Sequence, residues 1–323
     1  MMSSCCASCF SGLHRQSAKV SAQRNKTKHV DSYREVVHQE AAELRNFLRD
    51  DVREYFAASC PLTNHEEKWM TDEILGIYVR ARASREARLQ ILVPALEWRI
   101  CNRETLNSRE CTYCVANPLS HDARLFGFDS ERDFVFMNCF ELPRDIAADS
   151  VIRHMTCLLE RALNEYPTSV KFPLEDDGHP HVRRWTFIFD LYGFGLRYYD
   201  PRVTMRLLEL FQVVHRGRLK KLFVLDAPYG FGSFWQIVRP LLKEETASKL
   251  EFSDWKTIRS RFEEQFGFSL TEELWQEAME NRNPQMVASK RWTTFYGRSI
   301  HQARREELFS YDNGDRTCTV LGA

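Results

Sequence analysis

The run Lys221–Phe252, KLFVLDAPYGFGSFWQIVRPLLKEETASKLEF, constrains this chain most, because it joins an apolar strand to a helix greasier than an ordinary surface helix. Leu222, Phe223, Val224 and Leu225 form the strand, and Asp226-Ala227-Pro228 and a turn holding Gly230 and Gly232 close it. Beyond the turn, Phe231, Phe234, Trp235, Val238, Leu241 and Leu242 recur at helical spacing as a broad apolar stripe. The pattern predicts a strand over 221–226 and a helix over 231–243. The same alternation starts at about residue 124: strand 133–139, helix 149–165, strand 185–191, helix 200–215, and strand 249–252 after the apolar helix. Strands alternating with helices specify an α/β fold with a largely parallel sheet and crossover helices.

The flanking segments differ. Residues 1–30 have almost no apolar periodicity and read as a flexible, Cys-rich basic tail. Tyr33 to Phe56 is helical in pattern and belongs with a helical unit spanning 31–104, where Thr63-x-x-Glu66 marks a capping box. Residues 105–270 form the sheet domain, Pro167–Pro180 a loop within it, and 271–323 an extension in which only Leu270–Met279 is helical in pattern.

Charge excludes some partners. Lys plus Arg equals Asp plus Glu at 45 each, so no net field draws the chain to nucleic acid. No apolar run approaches the roughly 18–20 residues of a spanning helix, and no signal-peptide core opens the sequence. A soluble cytoplasmic protein is expected. Its cysteines are then reduced thiols. Cys111-x-x-Cys114, with Cys101 before it and His121 after it, sketches four metal ligands, but the spacing suits no familiar zinc module and packed thiols, with no metal, are expected. Cys5, Cys6 and Cys9 precede a basic stretch. Acylation there, added to the basic patch, would supply two membrane anchors and make the protein peripherally membrane-associated.

The order of several motifs resembles the CRAL-TRIO (cellular retinaldehyde-binding and Trio type) lipid-binding domain family. DEILGIYVRARASREARLQILVPALEWR, residues 72–99, resembles the family's leucine-rich helix ending in Arg80-Ala81-Arg82 and a second helix ending in Trp98-Arg99. FGFDSERDFVF resembles the first sheet strand with its Asp-rich turn, WTFIFDLYG the strand ending Asp-x-x-Gly, and FEEQFGF a later aromatic-glycine motif of which Phe266 and Gly267 remain. Asp226-Ala227-Pro228 stands where the family has Asn-Ala-Pro before a gate helix that closes over lipid.

The resemblance implies an N-terminal helical unit, a sheet floor and an apolar gate helix. Phe187, Phe189 and Phe223 would line the cavity, and Phe231, Phe234, Trp235, Val238, Leu241 and Leu242 the gate. Glycines 230 and 232 would serve the hinge. Lys249, in Ser248-Lys249-Leu250, stands where phosphatidylinositol-binding members meet phosphate. Arg218 keeps the arginine of a Pro-Glu-Arg motif whose glutamate is Gly217 here, and Arg216 joins it in a basic cluster with His215, Lys220 and Lys221. The implied function is binding or transfer of a phospholipid or other hydrophobic ligand, with transient membrane contact, no cofactor and no catalysis. The alternative is a membrane-recruited module that reaches a protein partner through its tails. Enzyme motifs are incomplete: Gly230-Phe231-Gly232-Ser233-Phe234 misplaces the serine of a nucleophile elbow, and Gly193-Phe194-Gly195 lacks the rest of a dinucleotide fingerprint. His179-Pro180-His181, beside Asp176 and Asp177, reads as an exposed turn.

Overall fold

The computed structural model describes residues 34–57, 60–108, 110–117, 120–139, 147–165, 174–195, 200–283 and 285. Cys5, Cys6, Cys9 and most of the extension after 283 lie outside the described residues. The chain divides into two compact units: residues 1–90 with 172–181, and 91–171 with 182–323. The boundary therefore falls inside a helix rather than at 104.

The helical unit holds α1 (34–57), α2 (Asn64–Trp69), α3 (Asp72–Ala81) and the start of α4 (Arg85–Cys101). The capping box forms as expected, with the Glu66 carboxylate accepting from the Thr63 N–H at 2.8 Å. The loop around residue 178 is tied to these helices by arginines. The Arg80 guanidinium donates to both Asp177 carboxylate oxygens at 2.6 and 3.0 Å, and that pairing holds the Asp177 pKa down at about 2. His179 is not an exposed residue, contrary to the sequence expectation. It is buried with its Nδ1 2.9 Å from Arg45 Nη1. Arginine only donates, so this imidazole accepts and is neutral. Burial, reinforced by Arg80, lowers its pKa to about 4.

In the second unit a five-stranded sheet runs in chain order. The strands are β1 (Arg124–Phe128), β2 (Phe134–Cys139), β3 (Trp185–Asp190), β4 (Leu219–Leu225) and β5 (Leu250–Ser253). β1 is antiparallel to β2, and the remaining pairs are parallel. The first strand of the sequence reading is thus a hairpin. The Asp129 carboxylate makes its turn by accepting the N–H groups of Glu131 and Asp133, both at 2.9 Å.

The helices of this unit are the rest of α4, α5 (Arg103–Asn107), α6 (Thr112–Ala116), α7 (Ala148–Glu165), α8 (Pro201–Glu209), α9 (Phe231–Val238), α10 (Glu244–Ala247), α11 (Trp255–Phe266) and α12 (Phe268–Asn281). Side chains alternate across the sheet. One face, with Val135, Met137, Ile188, Phe223 and Leu225, is packed under α11 and α12 through Trp255, Phe262, Leu270 and Leu274. α12 is therefore core, not the start of an extension. Burial of each such residue stabilises the unit by about 1.5–3 kcal/mol. The opposite face carries Phe134, Phe136, Trp185 and Phe187, covered by α7 through Met155 and Leu159 and by Leu210 and Val214 of the π-turn after α8.

The Trp98-Arg99 motif anchors this second face. Trp98 packs against its cluster. Arg99 makes a buried bidentate pair with Glu160 of α7, at 2.6 and 2.9 Å. His215 Nε2 lies 3.6 Å from the same carboxylate, yet burial pushes its pKa down to about 3.

Candidate functional site

The aromatic face has an ordered floor. Phe136 and Phe187 stack with ring centroids 4.9 Å apart, and Phe187 meets Phe211 edge-on at 5.3 Å and Phe189 at 6.0 Å. Register extends this face outward, because Phe189 pairs with Val224 and Val224 with Phe252. Phe252 is 44% exposed at the sheet edge. α9 lies over it: Trp235 reaches the Phe252 ring at 5.1 Å and Phe231 at 6.1 Å, while Phe194 meets Phe231 at 5.6 Å and Phe234 at 5.8 Å.

Phe187 and Phe189, with Phe231, Phe234 and Trp235, thus lie on one side of the sheet. Phe223 does not join them. Its neighbour in register is Ile188, and its ring packs 4.9 Å from Phe262 in the opposite core. Strand alternation decides this, since Leu222 and Val224 point to the aromatic side and Phe223 away from it. The helix is also shorter than its stripe suggested. α9 ends at Val238, and a 3-10 turn follows over Arg239–Leu241. Pro240 supplies no N–H and its ring clashes with the carbonyl four residues back, so the α-helix cannot continue. Leu241 and Leu242 fall outside it, Leu241 exposed and Leu242 half-buried.

Cover over the floor is incomplete. None of the nine residues of α8 is buried, and of the eight in α9 only Val238 is. Tyr229 before α9 is fully exposed, and Ile237 and Met205 are exposed as well. The backbone leading into α9 is unusual: Asp226 has φ +50° and Gly230 has φ +96°. Only glycine takes the latter without strain.

Asp226 and the aspartate of the Asp-x-x-Gly motif, Asp190, end adjacent parallel strands, and one residue outside both motifs bridges them. Arg282, just past α12, donates to Asp190 at 2.6 and 2.9 Å and to Asp226 at 2.5 Å, and its guanidinium sits 4.7 Å over the Tyr192 ring. Burial raises the Asp190 pKa against the opposing pull of Arg282. Nothing in the sequence marks Arg282 for this role, since its partners are 92 and 56 residues away.

The basic cluster separates in space. Arg218 is buried, its Nη1 donating to the Arg183 carbonyl at 2.8 Å, so it is not presented to a headgroup. Lys220 pairs with Asp129, Glu131 and Asp133 at 2.7–3.1 Å, and Lys221 with Glu251 at 2.9 Å. Lys249 and Arg216 differ. Lys249 Nζ is 2.8 Å from Glu245, and both cations, Lys249 first, hold the Glu245 pKa below its usual value. Of the sketched metal ligands, Cys101 is exposed and separate, whereas Cys111, Cys114 and His121 converge with His154 of α7.

Residues 123–272 match the model of the CRAL/TRIO domain. The chain carries a CRAL/TRIO domain. The match spans β1 through β5, the aromatic face, α9 and the start of α12, and the family is one of lipid-binding proteins in general. No curated protein matches the chain in sequence. Among solved structures the fold is similar to one titled "Crystal structure of Sfh5", with a TM-score of 0.49 and 15% identity, covering 75% of this chain and 97% of that one. Among the described residues no helix is long and apolar enough to cross a membrane.

Proposed function

We propose that the CRAL/TRIO domain shelters a phospholipid or other hydrophobic ligand against the Phe136–Phe187–Phe189 face, with α9 as the gate, and moves it between membranes. The observation that carries this reading is the apolar helix α9, with only Val238 buried, lying over an aromatic floor. Each acyl methylene taken from water there contributes about 0.8 kcal/mol. A ligand would also cover Phe231, Phe234 and Trp235, which are half-buried without one. The left-handed residues Asp226 and Gly230 bracket the hinge on which α9 would swing.

Lys249 and Arg216 are the headgroup cations, and a phosphate would take the place of Glu245 beside them. Exposed Tyr229, Ile237 and Leu241, with Arg239 and Lys243 among them, suit transient docking on an anionic bilayer. This is non-covalent chemistry at a cytoplasmic membrane surface, with lipid as ligand and no cofactor. Acylation of Cys5, Cys6 or Cys9 would prolong the membrane encounter.

Trp235→Glu places a charge where acyl chains would lie, on a half-buried α9 residue whose ring packs on Phe252 of the edge strand and not on the cores of the sheet. Uptake of a fluorescent phospholipid from vesicles should fall at least tenfold while the far-ultraviolet circular dichroism is unchanged. Undiminished uptake would remove α9 from the gate role. An inability of the unaltered chain to take up any lipid would instead favour a recruited interaction module.

A further inference from the structure

The geometry points to a structural zinc site built by Cys111, Cys114, His121 and His154, none of which the lipid reading uses. All four residues are buried or nearly so, and their ligand atoms lie within 4.8 Å of one another. Cys114 Sγ is 3.2 Å from His121 Nδ1 and 3.3 Å from His154 Nδ1, and Cys111 Sγ is 3.9 Å from His121 Nδ1. A tetrahedral zinc with Zn–S near 2.3 Å and Zn–N near 2.0 Å requires ligand-to-ligand edges of about 3.3–3.8 Å. These three separations fall within about 0.1 Å of that range, and drawing every ligand atom from within 4.8 Å onto one ion requires only a small contraction.

The outer contacts set the imidazoles for coordination. His154 Nε2 lies 2.9 Å from the Ala123 carbonyl, which only accepts, so the proton is on Nε2 and the Nδ1 lone pair faces the sulfurs. His121 Nε2 lies 2.8 Å from the Ser150 hydroxyl, which can accept its proton and leave Nδ1 as the ligand atom. A ligating histidine whose other nitrogen is fixed by a carbonyl or hydroxyl is the arrangement that orients metal ligands. The two rings stack with centroids 4.6 Å apart, which keeps their Nδ1 atoms on the same side near Cys114 Sγ.

The donor set selects the ion. Two thiolates and two imidazoles in a closed, buried tetrahedron suit zinc in a structural role, with no open position for a substrate. Binding converts two thiols to thiolates and releases two protons to solvent, so affinity falls as pH falls. The site has a mechanical purpose. Among the described residues between 110 and 123 the regular element is the five-residue α6, and a helix that short does not persist alone. One ion would fasten α6 and the β1 approach to α7, three elements that no disulfide joins among the described residues. Sequence reading missed this because His154 sits on α7, 40 residues from Cys114, in the place where Cys101 had been drawn.

Metal content of the full chain, purified without chelator, tests this directly by inductively coupled plasma mass spectrometry. One zinc per chain is expected. Cys114→Ser and His154→Ala should each lower it more than tenfold, whereas Cys101→Ser and Cys157→Ser should retain it. Because a ligand variant can fail to fold, the unaltered chain is also stripped and titrated with cobalt(II). A tetrahedral thiolate–cobalt spectrum that zinc bleaches at one equivalent supports the site. A chain that retains no zinc and gives only the spectrum of aqueous cobalt overturns it, as does a Cys111–Cys114 disulfide in protein purified without reductant.

Discussion

Arg282→Met removes the guanidinium that spans Asp190 and Asp226 and leaves most of the apolar stem in place. The Asp190 side chain is 1% exposed, so its carboxylate is left buried without its counter-charge, though the Tyr192 N–H still donates to it at 3.2 Å. Breaking a buried pair from one side costs about 3–5 kcal/mol. In a unit of this size each kcal/mol lowers Tm by roughly 2–4 °C, which gives a loss of about 6–20 °C. The lower half of that range is expected, because Asp226 is partly solvated and Asp190 can take up a proton. The sign follows from that proton. Without Arg282 the folded-state pKa of Asp190 rises further above its unfolded value, so the fold is penalised above that pKa and relieved as pH falls. Calorimetric melts at pH 8 and pH 5 should therefore show a smaller deficit at pH 5. Adding Asp190→Asn should recover at least half of the loss, since a neutral amide carries no buried charge. A Tm within about 2 °C of the unaltered chain, or a deficit that grows on acidification, would refute the bridge.

His215 and His179 are neutral in the fold, with pKa values near 3 and 4, against an unfolded value of about 6.5. The unfolded chain binds more protons in that window, so stability is complete above about pH 6.5 and falls as pH drops toward 4. His215→Gln should flatten the slope by up to about 1.4 kcal/mol per pH unit, read from urea melts across the window. Gly178→Ala puts a Cβ 2.8 Å from both His38 Cα and the Val37 carbonyl oxygen at φ +74°, so the helical unit should lose about 2 kcal/mol or more in urea denaturation. Lys249→Ala should slow vesicle-to-vesicle transfer of phosphorylated lipids and leave uptake of an uncharged apolar ligand unchanged; equal losses for both would remove Lys249 from the headgroup site.

The sheet strands β2 to β5 and the helices between them were legible because apolar runs and helical stripes are local. What depends on which side of a strand faces which helix was not. Phe223 and Phe187 look alike in composition, and only the register of β3 with β4 puts them on opposite faces. Pro240 was present to be read as the end of α9, but the apolar stripe continuing to Leu242 masked it. Phe252 carried a signal that was overlooked: in β5 it stands two residues after Leu250, on the same face. The basic cluster seemed to be one patch because charge was counted along the chain. In space Arg218 turns inward and Lys220 meets three carboxylates, which leaves Lys249 and Arg216 near Glu245. Arg282 and His154 could not have been found locally, since each acts on partners from other elements.

Lipid occupancy of the CRAL/TRIO domain tests the central claim most directly. Native mass spectrometry of the full chain, after incubation with liposomes of mixed phospholipids and removal of the vesicles, reads it in one spectrum. A mass increment of one lipid per chain, absent from the Trp235→Glu variant, is the predicted result. A chain that stays at its own mass with every liposome composition would contradict the account.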